Sequence, residues 1–250
     1  MLTPRQSALV AAIVSQYIRT ADPVSSKEIE KSGFFGLRSA SIRGEMNELE
    51  TLGYLNQFHT SGGRVPTDIA YRYYVDNFIE PEKLKPNPVD RKKISRAIKD
   101  AGNDPQQLNK NVAKTLSDLC ENLVITNIDQ RDDFFKCGLS GMFELPDFRE
   151  FDRAFRLTSF FDRFENIFDQ LEKHLFTMMD DRFENLNIII GDENQIRDVK
   201  DETMMFAKYR LPEKFTGSLT LIGPTRMDYQ RNIGLIKYTT DELNKMAVKN

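Results

Sequence analysis

Arg38, Ser39, Ser41, Arg43 and Asn47 crowd hydroxyls, an amide and two guanidinium groups into one short stretch. Such side chains suit base edges and phosphate oxygens in a DNA major groove. A second group follows in His59-Thr60-Ser61-Gly62-Gly63-Arg64. Its glycines permit a tight backbone tip, and Arg64 can enter a minor groove or clamp a phosphate. The competing structural readings are a solvated helix face for the first group and a plain hairpin with one surface arginine for the second.

Little else in the chain points to chemistry. His59 and His174 are the only histidines, and no nucleophile–base cluster surrounds either. There is no P-loop and no G-x-G-x-x-G. Asp132-Asp133 and Asp180-Asp181 are sequence neighbours, so each pair points to different sides of a regular element and reads as surface charge. Cys120 and Cys137 form no C-x-x-C motif and read as free thiols. The sequence therefore predicts no enzyme, no metal and no cofactor.

The first group needs a helix to present it. Ile42, Met46, Leu49 and Leu52 recur four, three and three residues apart, which buries one helix face, and Gly53 stops the run. Tyr54 to His59 reads as a strand, Ser61-Gly62-Gly63 as its tip, and Arg64-Val65 as the return. Upstream, Thr3-Pro4-Arg5-Gln6 starts a helix that runs to about Thr20. Asp22-Pro23 makes a turn, and Ser25 or Ser26 caps a second helix carrying Ile29 inward. Helix, turn, helix and glycine-tipped hairpin form the layout of a winged helix-turn-helix. Thr67 caps a fourth helix, Asp68 to Phe78, whose Tyr71, Tyr74, Val75 and Phe78 read as packing residues.

A proline-rich linker at 80–90 separates this 1–79 region from a second domain, 91–250. There the spacing predicts two helices from Arg91 to Cys120, broken at Gly102 to Pro105. Strands are expected at Leu123–Ile128, Phe134–Leu139 (turning at Ser140-Gly141), Leu186–Ile190, Met204–Tyr209 and Gly217–Ile222. A long helix, Phe148 to Phe176, carries more phenylalanines than one buried face needs, which fits either a thick core or a second copy of the chain. Arg231 to Met246 closes the chain as a helix, so the fold class is α+β. Gly223-Pro-Thr-Arg-Met-Asp-Tyr229 reads equally as a small-ligand loop and as a structural Arg226–Asp228 pair.

The 250 residues, 40% apolar and 29% charged, have an ordinary globular composition with a net charge of −3. Residues 1–67 hold seven Lys/Arg against six Asp/Glu, a net of +1, so any field toward nucleic acid comes from placement. Glu45, Glu48 and Glu50 must then turn away from phosphates. No signal peptide is evident, and no apolar run approaches the roughly 18 residues of a membrane span. A cytoplasmic protein without membrane contact is expected.

Together these residues resemble the heat-inducible transcription repressor (HrcA) family. The matching pieces are Thr3-Pro-Arg-Gln6, Tyr17-Ile-Arg19, Pro23-Val-Ser-Ser-Lys27, Ser41-Ile-Arg43 and His59-Thr-Ser-Gly-Gly-Arg-Val-Pro-Thr67. Further along come Tyr71-Arg-Tyr-Tyr-Val-Asp76, Leu145-Pro-Asp-Phe148, Ile190-Gly-Asp-Glu-Asn194 and Ile222-Gly-Pro-Thr-Arg-Met-Asp-Tyr229. The resemblance implies a winged helix, a GAF-like domain and a dimerising insertion. It also implies a homodimeric repressor of chaperone operons on an inverted-repeat DNA operator, with the chaperonin GroEL promoting the active form. The chain departs from the pattern in a Ser-Gly-Gly-Arg tip, where Ser-Ala-Gly-Arg is usual. It is also short between Leu119 and Phe134, which points to a reduced insertion with the phenylalanine-rich helix as replacement. The DNA contacts expected are Arg38, Ser39, Ser41, Arg43, Asn47, His59 and Arg64. Two other readings are a small-molecule-responsive regulator and a protein-interaction module that has lost DNA binding.

Overall fold

The computed structural model describes residues 2–33, 36–57, 63–131, 133–177, 183 and 185–249. Its α+β chain divides into two compact units, one comprising Met1–Ile79 with Thr225–Asp228, the other Glu80–Pro224 with Tyr229–Asn250.

In the first unit, α1 (Pro4–Thr20) opens on a capping box: Thr3 accepts from the Gln6 backbone while the Gln6 side chain answers the Thr3 N–H. Ser25 and Glu28 repeat the device on α2 (Ser26–Lys31), settling which serine caps it. Ile42, Met46 and Leu49 bury one face of α3 (Ser39–Thr51), and Gly53, at φ +82°, turns the chain out of it. β1 (Leu55–Gln57) pairs antiparallel with β2 (Arg64–Pro66). The expected tip at Ser61-Gly62, with His59, lies outside the described residues. Val24 also joins this ribbon through an isolated bridge to Arg64, so the segment after Asp22-Pro23 is a strand edge as well as a turn exit. α4 (Asp68–Phe78) starts at its Thr67 cap. It buries Tyr71, Tyr74 and Val75, and its Tyr73 hydroxyl donates to Ser7 on α1 at 2.9 Å.

The second unit begins with a single-turn helix at Pro81–Lys83. α5 (Pro88–Ala101) already includes Pro88 to Asp90 of the expected linker, because Asn87 caps it and proline suits its first position. α6 (Pro105–Cys120) follows, then β3 (Leu123–Ile128) and β4 (Asp133–Cys137). Leu139–Met142, where a turn was expected, forms the short helix α7. Next come α8 (Phe151–Thr177), β5 (Leu186–Ile190), β6 (Glu202–Arg210), β7 (Thr216–Pro224) and α9 (Tyr229–Lys249).

Among the described residues the strands form an antiparallel sheet of order β4-β3-β7-β6-β5. Strand alternation sends Leu123, Ile125, Ile189, Met204, Phe206 and Ile222 into one cluster with Phe160, Phe164 and Phe168 of α8. On the other face, the Thr126 hydroxyl donates to the Asn109 carbonyl of α6 at 3.1 Å, and buried Tyr209 donates to Asn109 Oδ1 at 2.7 Å. The phenylalanine-rich helix is therefore split: Phe160, Phe164 and Phe168 are core, whereas Phe151 and Phe155 are 79% and 61% exposed and stack on each other. Gly223 and Pro224 are buried within β7, paired with Thr203 and Glu202, so they expose no loop amides. No helix among the described residues is long and apolar enough to cross a membrane.

A buried ion pair fastens α8 to the sheet. Arg153 Nε and Nη2 each donate to a Glu202 carboxylate oxygen at 2.8 Å, Nη2 also reaches the Asp201 carbonyl at 2.7 Å, and the guanidinium lies 4.9 Å over the Phe148 ring. Burial pushes the Glu202 carboxyl above the ordinary carboxylate value, and the guanidinium opposes part of that shift. Arg153→Met should cost about 3–5 kcal/mol near neutral pH by stranding this carboxylate. With its partner gone, Glu202 holds a proton more tightly folded than unfolded. The deficit must therefore shrink as pH falls toward the unfolded value, which urea denaturation across pH will measure.

Candidate nucleic-acid interface

Three parallel stripes on α3 sort its side chains. Ile42, Met46 and Leu49, four and three apart, are buried. Ser41, Glu45 and Glu48 share that spacing on one flank of the buried stripe, and Arg43, Asn47 and Glu50 share it on the other. The helix thus separates Ser41 from Arg43, which the residue run had placed together.

The acidic flank is occupied by α1. Arg5 pairs with Glu45 at 3.2 Å and Gln6 Nε2 donates to Glu48 at 2.9 Å. These carboxylates therefore face partners within the unit, on the stripe opposite Arg43. Exposed pairs of this kind add little stability; their effect here is orientation.

The Arg43 flank lines an open concavity with Val24, Ser25, Ser26 and Lys27 from the start of α2 and with Gln57, Gly63 and Arg64 of the ribbon. Arg43 and Arg64 therefore face one space. Ser39, one turn before Arg43, shares a 2.8 Å hydroxyl–hydroxyl bond with buried Ser26, so its oxygen helps join α3 to α2. Arg38 is exposed at the position preceding the first turn of α3 and makes no side-chain cap bond. Arg43, Arg38 and Lys27 have no acidic partner among the described residues and stand ready for anions.

Arg64 differs from them. Its Nη2 donates to Asn47 Oδ1 at 2.8 Å. Its Nε lies 2.9 Å from Glu50 Oε2 without hydrogen-bond alignment. The side chain is 11% exposed and lies back on α3. Its backbone is held as firmly: Arg64 N–H donates to the Val24 carbonyl at 2.8 Å, and Val24 N–H to the Arg64 carbonyl at 2.9 Å. A Cβ on Gly63 would lie 2.5 Å from the Pro23 carbonyl oxygen, so only glycine permits this approach. Sequence reasoning missed Val24, Ser25, Ser26, Lys27 and Gln57 as lining residues; it expected Glu50 to turn away from phosphates, whereas Glu50, three residues on from Asn47 on the same stripe, lines the concavity and pairs with Arg64.

Residues 85–233 match the family model described as the HrcA protein C terminal domain. The heat-inducible transcription repressor HrcA of Thermoanaerobacter sp. (strain X514) is 26% identical, with 98% of this chain and 97% of that protein covered. The repressor of the same name from Clostridium tetani (strain Massachusetts / E88) is 28% identical, with 97% and 95% covered. A crystal structure of a hypothetical protein has a similar fold, at a TM-score of 0.75 and 19% identity over 100% of this chain and 99% of that one.

Two glycines make opposite predictions. Gly44 lies within α3, and a Cβ there meets nothing within 4 Å, so Gly44→Ala should stabilise the protein by about 1 kcal/mol. Gly63→Ala must push the ribbon off Pro23 and should lower the melting temperature. Thermal unfolding of the full chain measures both.

Proposed function

Because the chain belongs to the HrcA family, we propose that it is a heat-inducible transcriptional repressor whose first unit is a winged helix-turn-helix. In this reading α3 enters the major groove, the β1–β2 ribbon is the wing, and the second unit is GAF-like. Arg38, Ser39, Arg43, Asn47 and His59 are its proposed DNA-facing residues; Arg64 lines the same space from the ribbon, and Ser41 stands on the opposite flank of α3. The observation that carries the reading is the shared concavity. Arg43, Asn47 and Arg64 converge on one space, while Glu45 and Glu48 are drawn to the other flank. An arrangement with one basic, hydrogen-bonding flank offers a duplex its helix without presenting most of its acids.

Family membership further supports a cytoplasmic homodimer on an inverted-repeat operator upstream of chaperone genes, with the chaperonin GroEL promoting the active form. Two-fold protein symmetry would match two-fold DNA. Phe151 and Phe155 are the surface we assign to the second copy, since large stacked aromatics left in water mark interaction sites.

The test of DNA binding is a gel-shift titration over a salt series, in which affinity must fall steeply as salt rises. Arg43→Ala should weaken binding by about 1–3 kcal/mol if it reads a base, and the loss should be confined to the preferred duplex. Equal loss on scrambled DNA would make it a phosphate contact. For the dimer, Phe155→Glu should shift sedimentation toward the monomer while leaving the melting temperature near that of the parent.

A further inference from the structure

Arg64 has the sequence context of a groove- or phosphate-contacting arginine, yet its guanidinium is already engaged by Asn47 and Glu50. We propose that Arg64 is a positioning residue, which orients the Asn47 amide toward the bases rather than touching DNA itself. The proposal rests on the DNA-binding reading above and deepens it.

Chemistry sets the orientation of the amide. A guanidinium has only donors, so the Asn47 atom 2.8 Å away must be the carbonyl oxygen. The amide nitrogen is then the group turned away from Arg64. A donor so presented prefers acceptors on base edges: purine N7, guanine O6 or thymine O4. Glu50 completes the arrangement. It holds the arginine from the other side and offsets its charge, so the pair adds little attraction for phosphates. The backbone is in no position to release the side chain easily. Arg64 is bonded to Val24 on one edge and lies opposite Gln57 on the other. Free phosphate-binding charge on this face comes instead from Arg43 and Lys27.

The experiment first selects duplexes from a randomised library with the full wild-type chain. The best duplex and a scrambled one are then titrated across a salt series. The proteins are wild type, Arg64→Met, Arg64→Lys, Asn47→Ala and the Arg64→Met/Asn47→Ala double variant. Arg64→Lys and Asn47→Ala should each lose about tenfold on the selected duplex and almost nothing on the scrambled one, with the wild-type salt slope; Arg64→Met should lose at least as much on the selected duplex and a little on both, because it leaves Glu50 unopposed. The double variant should lose no more than Arg64→Met alone, because both changes remove one unit. A library reselected with Arg64→Met should show relaxed preference at one base position. Lysine keeps the charge but cannot span Asn47 and Glu50 together, so it carries the decision if the methionine variant fails to melt cooperatively.

The proposal is overturned if Arg64→Met weakens both duplexes equally and lowers the salt slope by about one while Arg64→Lys binds like wild type. That pattern is a phosphate contact and leaves the DNA-binding reading intact. Failure of the wild-type chain to select any duplex or to bind in a salt-dependent way would instead remove the reading itself.

Discussion

The backbone pairing of Arg64 with Val24 holds the candidate interface together. Two hydrogen bonds across that bridge join the ribbon to the entry of α2, and the approach is so close that Gly63 has no room for a side chain. From this anchored position the Arg64 side chain reaches α3 at Asn47 and Glu50. Helix α2, helix α3 and the ribbon therefore meet at one residue. A disturbance there moves all the surfaces we assign to DNA, whereas a disturbance at exposed Arg43 moves only itself.

Charge placement follows from the same geometry. The first 67 residues are nearly neutral, so bulk attraction to phosphates is weak. What the fold supplies is sorting. Capping residues at the start of α1 put Arg5 and Gln6 beside Glu45 and Glu48, and the ribbon takes Glu50. Arg43 and Lys27 keep no acidic partner among the described residues on the concave side. In the second unit, the buried Arg153–Glu202 pair docks α8 on the sheet, while Phe160, Phe164 and Phe168 fill the space beneath it. Phe155 and Phe151, about one and a half and two and a half turns before Phe160 on the same helix, are exposed in the single chain.

Much of this was legible from spacing and punctuation. The bounds of α1, α4 and α6, the caps at Thr3 and Thr67 and the core stripe of α3 follow from period and capping chemistry, both local. Local signals failed where tertiary contacts chose. Ser140-Gly141 has turn chemistry yet sits in α7, whose Met142 packs into the α8–sheet cluster. Pro88 looked like linker because proline usually breaks structure, but after the Asn87 cap it opens α5. Asp90 there is buried and ion-paired to Arg231 of α9 at 3.0 Å, a partner far along the chain.

By itself the sequence determined the α+β class, the order of most elements and which polar side chains gather in the first unit, because periodicity, caps and side-chain chemistry are encoded within a few residues. Only the tertiary structure decided which of those residues share a face and which are already engaged. It set Glu45 and Glu48 against α1, gave Ser39 to Ser26, and turned Arg64 inward onto Asn47 and Glu50. The physical reason is that a hydrogen bond or ion pair needs its partner at about 3 Å, and closures across 13 to 40 residues depend on how distant segments pack.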